Sequence, residues 1–149
     1  MLYLNKLKMK IQLATILYKK QVIEFFEKYL DKNNEAITWR EFLCPFGVSN
    51  AIKRNQVMIV LEEDEIVWAV RFYPRKRDNI VSVYQFAISE NYRKKGLLRK
   101  MLEKTWYKIF EVVCPLNHSF NKYYLKTWWK IEKSDEKFNY LILKIWKDQ

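Results

Sequence analysis

Phe86-Ala87-Ile88-Ser89-Glu90-Asn91-Tyr92-Arg93-Lys94-Lys95-Gly96-Leu97-Leu98 changes character halfway along. Its first residues end an apolar run of strand type over 80–88, and its middle is polar and basic. Its last two residues open the clearest helical pattern in the chain. Leu97, Leu98, Met101, Leu102, Thr105, Trp106 and Ile109 recur at the spacing that places them on one helix face. Gly96 stands at the joint. The chain contains only 2 glycines, so this one needs a backbone reason, and glycine lets main-chain amides approach a ligand closely. The first amides of a helix lack intrahelical partners and form an anion site. Arg93, Lys94, Lys95, Arg99 and Lys100 surround them with positive charge. The ligand implied is a phosphate or pyrophosphate; the competing reading is a tight turn with solvated basic side chains. The stretch is neither a Walker loop, which needs two glycines and a Lys-Ser/Thr pair, nor a GxGxxG fingerprint.

Outward from this joint the elements alternate in type. Residues 56–61 and 66–73 are rich in Val, Ile and Met, as strands are, and Glu62-Glu63-Asp64-Glu65 makes the hairpin turn between them. Residues 74–79 form a second, basic turn, so 80–88 is the third strand of a meander. Upstream, 9–14 alternate apolar and polar residues. Val22, Ile23, Phe26, Tyr29 and Leu30 follow at helical spacing, ended by turn-forming residues 31–34. Residues 35–55 are less regular: Pro45, Phe46 and Gly47 break the pattern, and Ser49 is placed to cap a short helix through Lys53. Downstream, 110–114 reads as a strand closed by Pro115, 119–129 as a helix and 138–146 as a long final strand. Strand, crossover helix and parallel strand over 80–114 sit within an antiparallel run. The expected fold class is therefore α/β (α+β): a mixed, mainly antiparallel sheet of about six to seven strands with about four helices. With no repeats or linker, residues 1–149 read as a single domain. Residues 1–8 have the character of an N-terminal extension, with Met1 and Met9 both open as the natural start.

Composition narrows the function classes. Half the residues are hydrophobic and 17% aromatic, which is a globular composition. Cys44 and Cys114 each lie in apolar sequence and read as reduced, buried thiols. One histidine and no CxxC leave no ligands for a zinc site, so no metal is expected. No apolar run approaches the roughly 18 residues that span a bilayer, and the N-terminus lacks a convincing cleavage site. The expected location is the cytoplasm, without membrane attachment. The net charge of +11 suits a polyanion or a phosphorylated ligand.

The stretch around Gly96 resembles the signature of the GNAT superfamily of N-acetyltransferases: a strand, a short loop, then (Arg/Gln)-x-x-Gly-x-(Gly/Ala) opening a helix. Arg93 and Gly96 match it, and Leu98 stands where the residue is usually small. Further on, the family commonly carries Asn-x-x-Ala-x-x-Phe-Tyr-x-x-x-Gly-Phe. Asn117, Tyr123, Tyr124 and Trp129 fall at compatible positions, while Phe120 replaces the alanine and Trp128 the glycine. The order of elements from Met9 to Trp146 is also similar.

This resemblance implies an acetyl-CoA-dependent N-acetyltransferase acting on a primary amine of a small molecule or protein. It implies that Phe86, Ala87 and Ile88 pair with the pantetheine arm, with their strand splayed from the one ending at Cys114. Arg93, Lys94, Lys95, Gly96, Leu97, Leu98 and Arg99 would hold the phosphates of coenzyme A, Asn117 would lie near the pantetheine, and Tyr124 would be the general acid. No general base is readable: 80–88 offers only Ser82, Tyr84 and Gln85, the acidic hairpin reads as a solvated turn, and His118 reads as a surface histidine. Two alternatives stay open. One is a nucleic-acid-binding or nucleic-acid-modifying relative that uses Arg75-Lys76-Arg77 and exposed aromatics. The other is a catalytically degenerate coenzyme A-binding member. The acceptor is expected at 35–55 and the hairpin loops. The protein would be a monomer or homodimer, with the final strand available to pair across a dimer.

Overall fold

The computed structural model describes residues 2–4, 9–29, 44–93, 96–105 and 107–145, with residues 2–4 and 97 described by backbone alone. The expected turn at 31–34, residues 35–43, Lys94, Lys95, Trp106 and Trp146 lie outside the described residues. The chain divides into two compact units, one of Met1–Phe72 with Tyr84–Arg93, the other of Tyr73–Val83 with Lys94–Gln149.

In the first unit, strands β1 (Leu2–Leu4), β2 (Met9–Leu13) and β3 (Val57–Glu62) pair antiparallel in sequence. Strand β4 (Glu65–Pro74) follows β3 through Glu63 and Asp64, whose φ angles of 48° and 67° make the two-residue turn with both central residues left-handed. That turn's twist matches the twist of the strands it joins. Strand β5 (Val81–Ile88) returns beside β4. Its antiparallel direction follows from the bonds Arg75 N to Ile80 O and Ser89 N to Val67 O at opposite ends of the pair. Helices α1 (Lys19–Tyr29) and α2 (Pro45–Lys53) cover this sheet. Val22, Phe25 and Phe26 of α1, with Val48, Ala51 and Ile52 of α2, form one core with Val57, Ile59, Leu61, Ala69 and Ala87. Each large side chain so buried contributes about 1.5–3 kcal/mol.

Helix α2 corrects the expected cap. It begins at Pro45, not Ser49, because proline's fixed φ and missing N–H suit the first helical position. Ser49 is buried mid-helix, and Gly47 lies inside the helix rather than in a break.

In the second unit β5 pairs parallel with β6 (Ile109–Pro115) over two positions, Val81 with Phe110 and Ser82 with Glu111. Strand β6 pairs antiparallel along its whole length with β8 (Phe138–Lys144), and β8 pairs with β7 (Lys130–Ser134). The mixed, mainly antiparallel sheet is thus observed, with β1 and β7 added to the six strands readable from sequence. Strand β8 has a neighbour on each side, so the free edge here belongs to β7, not to the final strand.

Helices α3 (Leu97–Glu103) and α4 (Phe120–Lys126) complete this unit. Helix α3 is shorter than its pattern suggests because Thr105 stops it. The Thr105 hydroxyl donates to Leu102 O at 2.8 Å and accepts from Tyr107 N at 3.3 Å, and Ile109 then begins β6. Among the described residues, no helix is long and apolar enough to cross a membrane.

Candidate functional site

Gly96 is the residue before α3, at φ 64° and ψ 27°. This left-handed conformation costs an L-residue about 1–2 kcal/mol and glycine nothing. Space is not the reason for glycine, since a Cβ built there would meet nothing within 4 Å. The first helical bond runs from Lys100 N to Gly96 O at 3.2 Å, and among the described residues no side chain caps the helix start. The amides of the first turn therefore carry the helix's positive end without a capping oxygen.

Leu98 is 1% exposed. Its side chain is turned into the core, so its bulk does not cover the helix start. Arg99 is held elsewhere: Nε lies 2.9 Å from Glu103 Oε1 and Nη1 donates to Thr127 O at 3.4 Å. Its side chain is thus tied down on α3 and the turn after α4.

The loop after β6 is held by a residue that the motif comparison missed. Asn121 Nδ2 donates to the carbonyls of Pro115 at 2.8 Å, His118 at 2.9 Å and Leu116 at 3.2 Å. Its oxygen accepts from Asn139 Nδ2 at 3.0 Å, and the Asn139 oxygen accepts from Ser134 Oγ at 2.6 Å. Asn117 itself is exposed in the turn. His118 is half-buried rather than a plain surface group: its Nδ1 accepts the amide of Phe120 at 3.0 Å, which caps the start of α4.

Tyr124 is 5% exposed on α4. Its ring meets Trp129 edge-on at 5.4 Å and Tyr123 at 5.6 Å. Burial raises its phenol well above the ordinary value, and Cys114 and Tyr123 add to the shift. Burial also pushes the Cys114 thiol up to about 11, which makes it inert at neutral pH. The turn after α4 carries a further marker. Trp128 has φ 77° and is 75% exposed, so the tryptophan at the motif's glycine position occupies a backbone that favours glycine. Trp129 beside it is buried, as the motif's final aromatic implies.

Phe86, Ala87, Ile88 and Arg93 belong to the first unit, whereas Gly96, Leu98, Arg99, Asn117 and Tyr124 belong to the second. Ala87 faces the α1–α2 core, and Phe86 stacks on Trp68 at 6.5 Å. Arg93 is exposed and turns back on its own loop, with Nε donating to Ile88 O at 3.3 Å. Of the basic triplet at 75–77, Arg75 is already neutralised: it meets Glu111 at 3.0 Å and Asp78 at 3.1 Å. That weakens the nucleic-acid reading, and it also makes Glu111 a paired carboxylate rather than a free base.

No family model matches the sequence, and no curated protein matches it. Solved structures do. An N-acetyltransferase, PaiA from Thermoplasma acidophilum in complex with coenzyme A, is 16% identical with a TM-score of 0.69, over 92% of this chain and 99% of that one. A GNAT-family acetyltransferase from Streptococcus agalactiae is 14% identical with a TM-score of 0.74, over 94% and 97%. Diaminobutyrate acetyltransferase EctA from Paenibacillus lautus, in complex with L-2,4-diaminobutyric acid and coenzyme A, is 14% identical with a TM-score of 0.63, over 91% and 94%. Identities this low speak to architecture alone, and on that they agree with the order of elements: this chain has the fold of the GNAT acetyltransferases.

Proposed function

We propose that the protein binds acetyl-CoA and transfers its acetyl group to the nitrogen of a primary amine. One observation carries this reading: the left-handed Gly96 opening an uncapped α3, in a fold whose solved examples include proteins crystallised with coenzyme A. The fit of the residues to that ligand is favourable. The helix start faces open space at Gly96 and is not covered by Leu98, so its amides are available to a pyrophosphate. Lys94 and Lys95 are adjacent in sequence and would add charge.

Acetyl-CoA supplies a thioester, whose carbonyl carbon accepts the amine and whose sulfur leaves as a thiolate. The amine nitrogen forms the new C–N bond as the C–S bond breaks, and the proton it loses passes to water. Tyr124 is assigned to the departing sulfur. Its phenol stays protonated at neutral pH because burial holds its pKa well above the usual value. An alkyl thiol ionises near 8.5, so full proton transfer from Tyr124 runs uphill. Its contribution is therefore hydrogen-bond donation to developing negative charge, with the thiol proton arriving finally from solvent. The remaining acceleration comes from holding the two reactants together.

The test is thermal stability with acetyl-CoA on the wild type and on Gly96→Glu. At a hundredfold excess over Kd the ligand adds about 2.7 kcal/mol to the stability of the wild type. The variant places bulk and negative charge at the helix start, where the protein itself offers no clash, and it should show no shift. Equal shifts in both proteins would overturn the assignment. For Tyr124, the change to Phe should lower kcat by about 10²-fold with the acetyl-CoA shift intact. Undiminished turnover would remove the tyrosine from the mechanism.

A further inference from the structure

Trp128 is a large aromatic residue held in a backbone that favours glycine. Its φ of 77° is left-handed, a conformation that bulky L-residues rarely adopt, and 75% of its surface is exposed. Among the described residues its indole meets no other ring. Burial therefore returns little against the torsion.

Strain of this kind persists only where the surroundings over-determine it. They do so here. Before Trp128, the Thr127 amide donates to the carbonyls of Tyr123 and Tyr124, and the Thr127 hydroxyl donates to the same two oxygens at 2.9 and 3.2 Å. After it, Trp129 N donates to Tyr124 O at 3.0 Å, and the Trp129 side chain is buried. The end of α4 thus pins the residues on both sides of Trp128 and leaves its own side chain in solvent.

The surroundings are cationic. Lys126 and Lys130 stand two residues to either side, and both are exposed. Arg99 of α3 donates through Nη1 to Thr127 O at 3.4 Å, and that carbonyl belongs to the peptide unit leading into Trp128. Glu103 offsets the charge of Arg99, so the two lysines supply the excess. The Arg99 bond also ties Trp128 to α3, one helical turn from Gly96. An exposed π-face among cations fits a planar base that carries phosphate, whereas a purely apolar partner would leave the cations unused.

We infer that Trp128 is a stacking platform for the adenine ring of the acyl-CoA, set by Arg99 beside the start of α3. The inference rests on the acetyl-CoA binding proposed above, and it adds a residue that recognises the nucleotide end of the cofactor rather than its acyl end. Trp128, Arg99 and Gly96 all lie in the second unit. Stacking asks no hydrogen bond of the protein, and a ring on a pinned backbone loses little freedom when the base arrives.

The experiment is calorimetric titration of the wild type, Trp128→Gly and Trp128→Asn with three probes: coenzyme A, its phosphopantetheine arm alone and its adenosine bisphosphate half alone. Glycine removes the ring and the strain together, and asparagine removes the ring while tolerating the left-handed backbone. In both variants the Kd of coenzyme A and of adenosine bisphosphate should rise roughly 5- to 150-fold, the range for a base stacked on an aromatic side chain. The Kd of phosphopantetheine should not move. An unchanged Kd for coenzyme A in both variants overturns the inference, as does an equal loss for phosphopantetheine, which would mark Trp128 as a structural residue. So does tighter binding of single-stranded oligothymidylate than of coenzyme A, lost in the same variants, which would assign the ring to nucleic acid. If the wild type binds neither coenzyme A nor phosphopantetheine, the transferase reading has failed. Adenosine bisphosphate then decides alone: binding that depends on Trp128 upholds the platform, and no binding overturns it.

Discussion

The two glycines of this chain are used for different physical reasons. At Gly96 the backbone is left-handed and a Cβ would meet nothing within 4 Å, so a methyl group would fit but would be strained. At Gly47 the backbone is an ordinary helix and the space beside it faces a guanidinium, so a side chain would be unstrained but would stand before Arg71. One glycine relieves a torsion and the other leaves room. The comparison separates the cost of a torsion from the cost of a contact, and the two respond differently to the same substitution.

The largest change in stability is expected at Gly96. Gly96→Ala adds no charge and meets no atom, so the torsion acts alone. The left-handed cost of about 1–2 kcal/mol is partly offset by the lower unfolded-state entropy of alanine, leaving a loss of roughly 1 kcal/mol. For a chain of this size that is a fall of about 3 °C in Tm, readable by calorimetry. An unchanged Tm would mean that the turn relaxes and that glycine is there for the ligand alone. Trp128→Gly is the reverse experiment. Trp128 holds φ 77° with 75% of its surface exposed, so little packing is lost on truncation. A gain of roughly 0.5–1 kcal/mol in denaturant unfolding is expected. A loss would show that the indole contributes contacts that outweigh the torsion.

These positions also show what could be read in advance. Helix α1 and strand β5 were legible because each has one wetter and one dry side that the alternation of residue type records. Strands β3 and β4 were legible because their buried runs are rich in Val, Ile and Met, and the turn at Gly96 because the chain has only 2 glycines. Strand β5 is the clearest case, with Val81, Val83, Gln85 and Ala87 buried and their neighbours half-buried. Strand β7 was not legible. Lys130-Ile131-Glu132-Lys133-Ser134 is exposed at every position, so no alternation survives, and its lysines are those expected of a protected edge. The end of α3 depended on a side-chain bond by Thr105, which periodicity does not register. For the candidate site, the motif points to Arg93 and Gly96, and its spacing to Tyr124. Asn121 was missed because it acts through surroundings that only the fold assembles, three carbonyls gathered around its amide.

Gly47→Ala sharpens the comparison from its other side. Alanine is the better helix former by up to about 1 kcal/mol, though the first turn of a helix realises only part of that, so a gain of roughly 0.5 kcal/mol is expected. A fall in Tm would mean that Arg71 has no room for a methyl group and that Gly47 is a packing residue after all.

The smallest effect is expected at the β3–β4 turn, and it tests whether torsion alone explains these costs. Asp64 holds φ 67°, close to the 64° of Gly96, yet the residue there is an aspartate. Aspartate tolerates the left-handed region far better than tryptophan does, because its short polar side chain bonds locally. Asp64→Gly should therefore raise stability by only a few tenths of a kcal/mol, below the gain at Trp128, although both positions have positive φ. It also removes one of four consecutive acidic residues, so the measurement belongs at high salt, where that repulsion is screened. If Asp64→Gly stabilises as much as Trp128→Gly, residue type does not matter in the left-handed region. The contrast between the two glycines would then reduce to backbone angle alone.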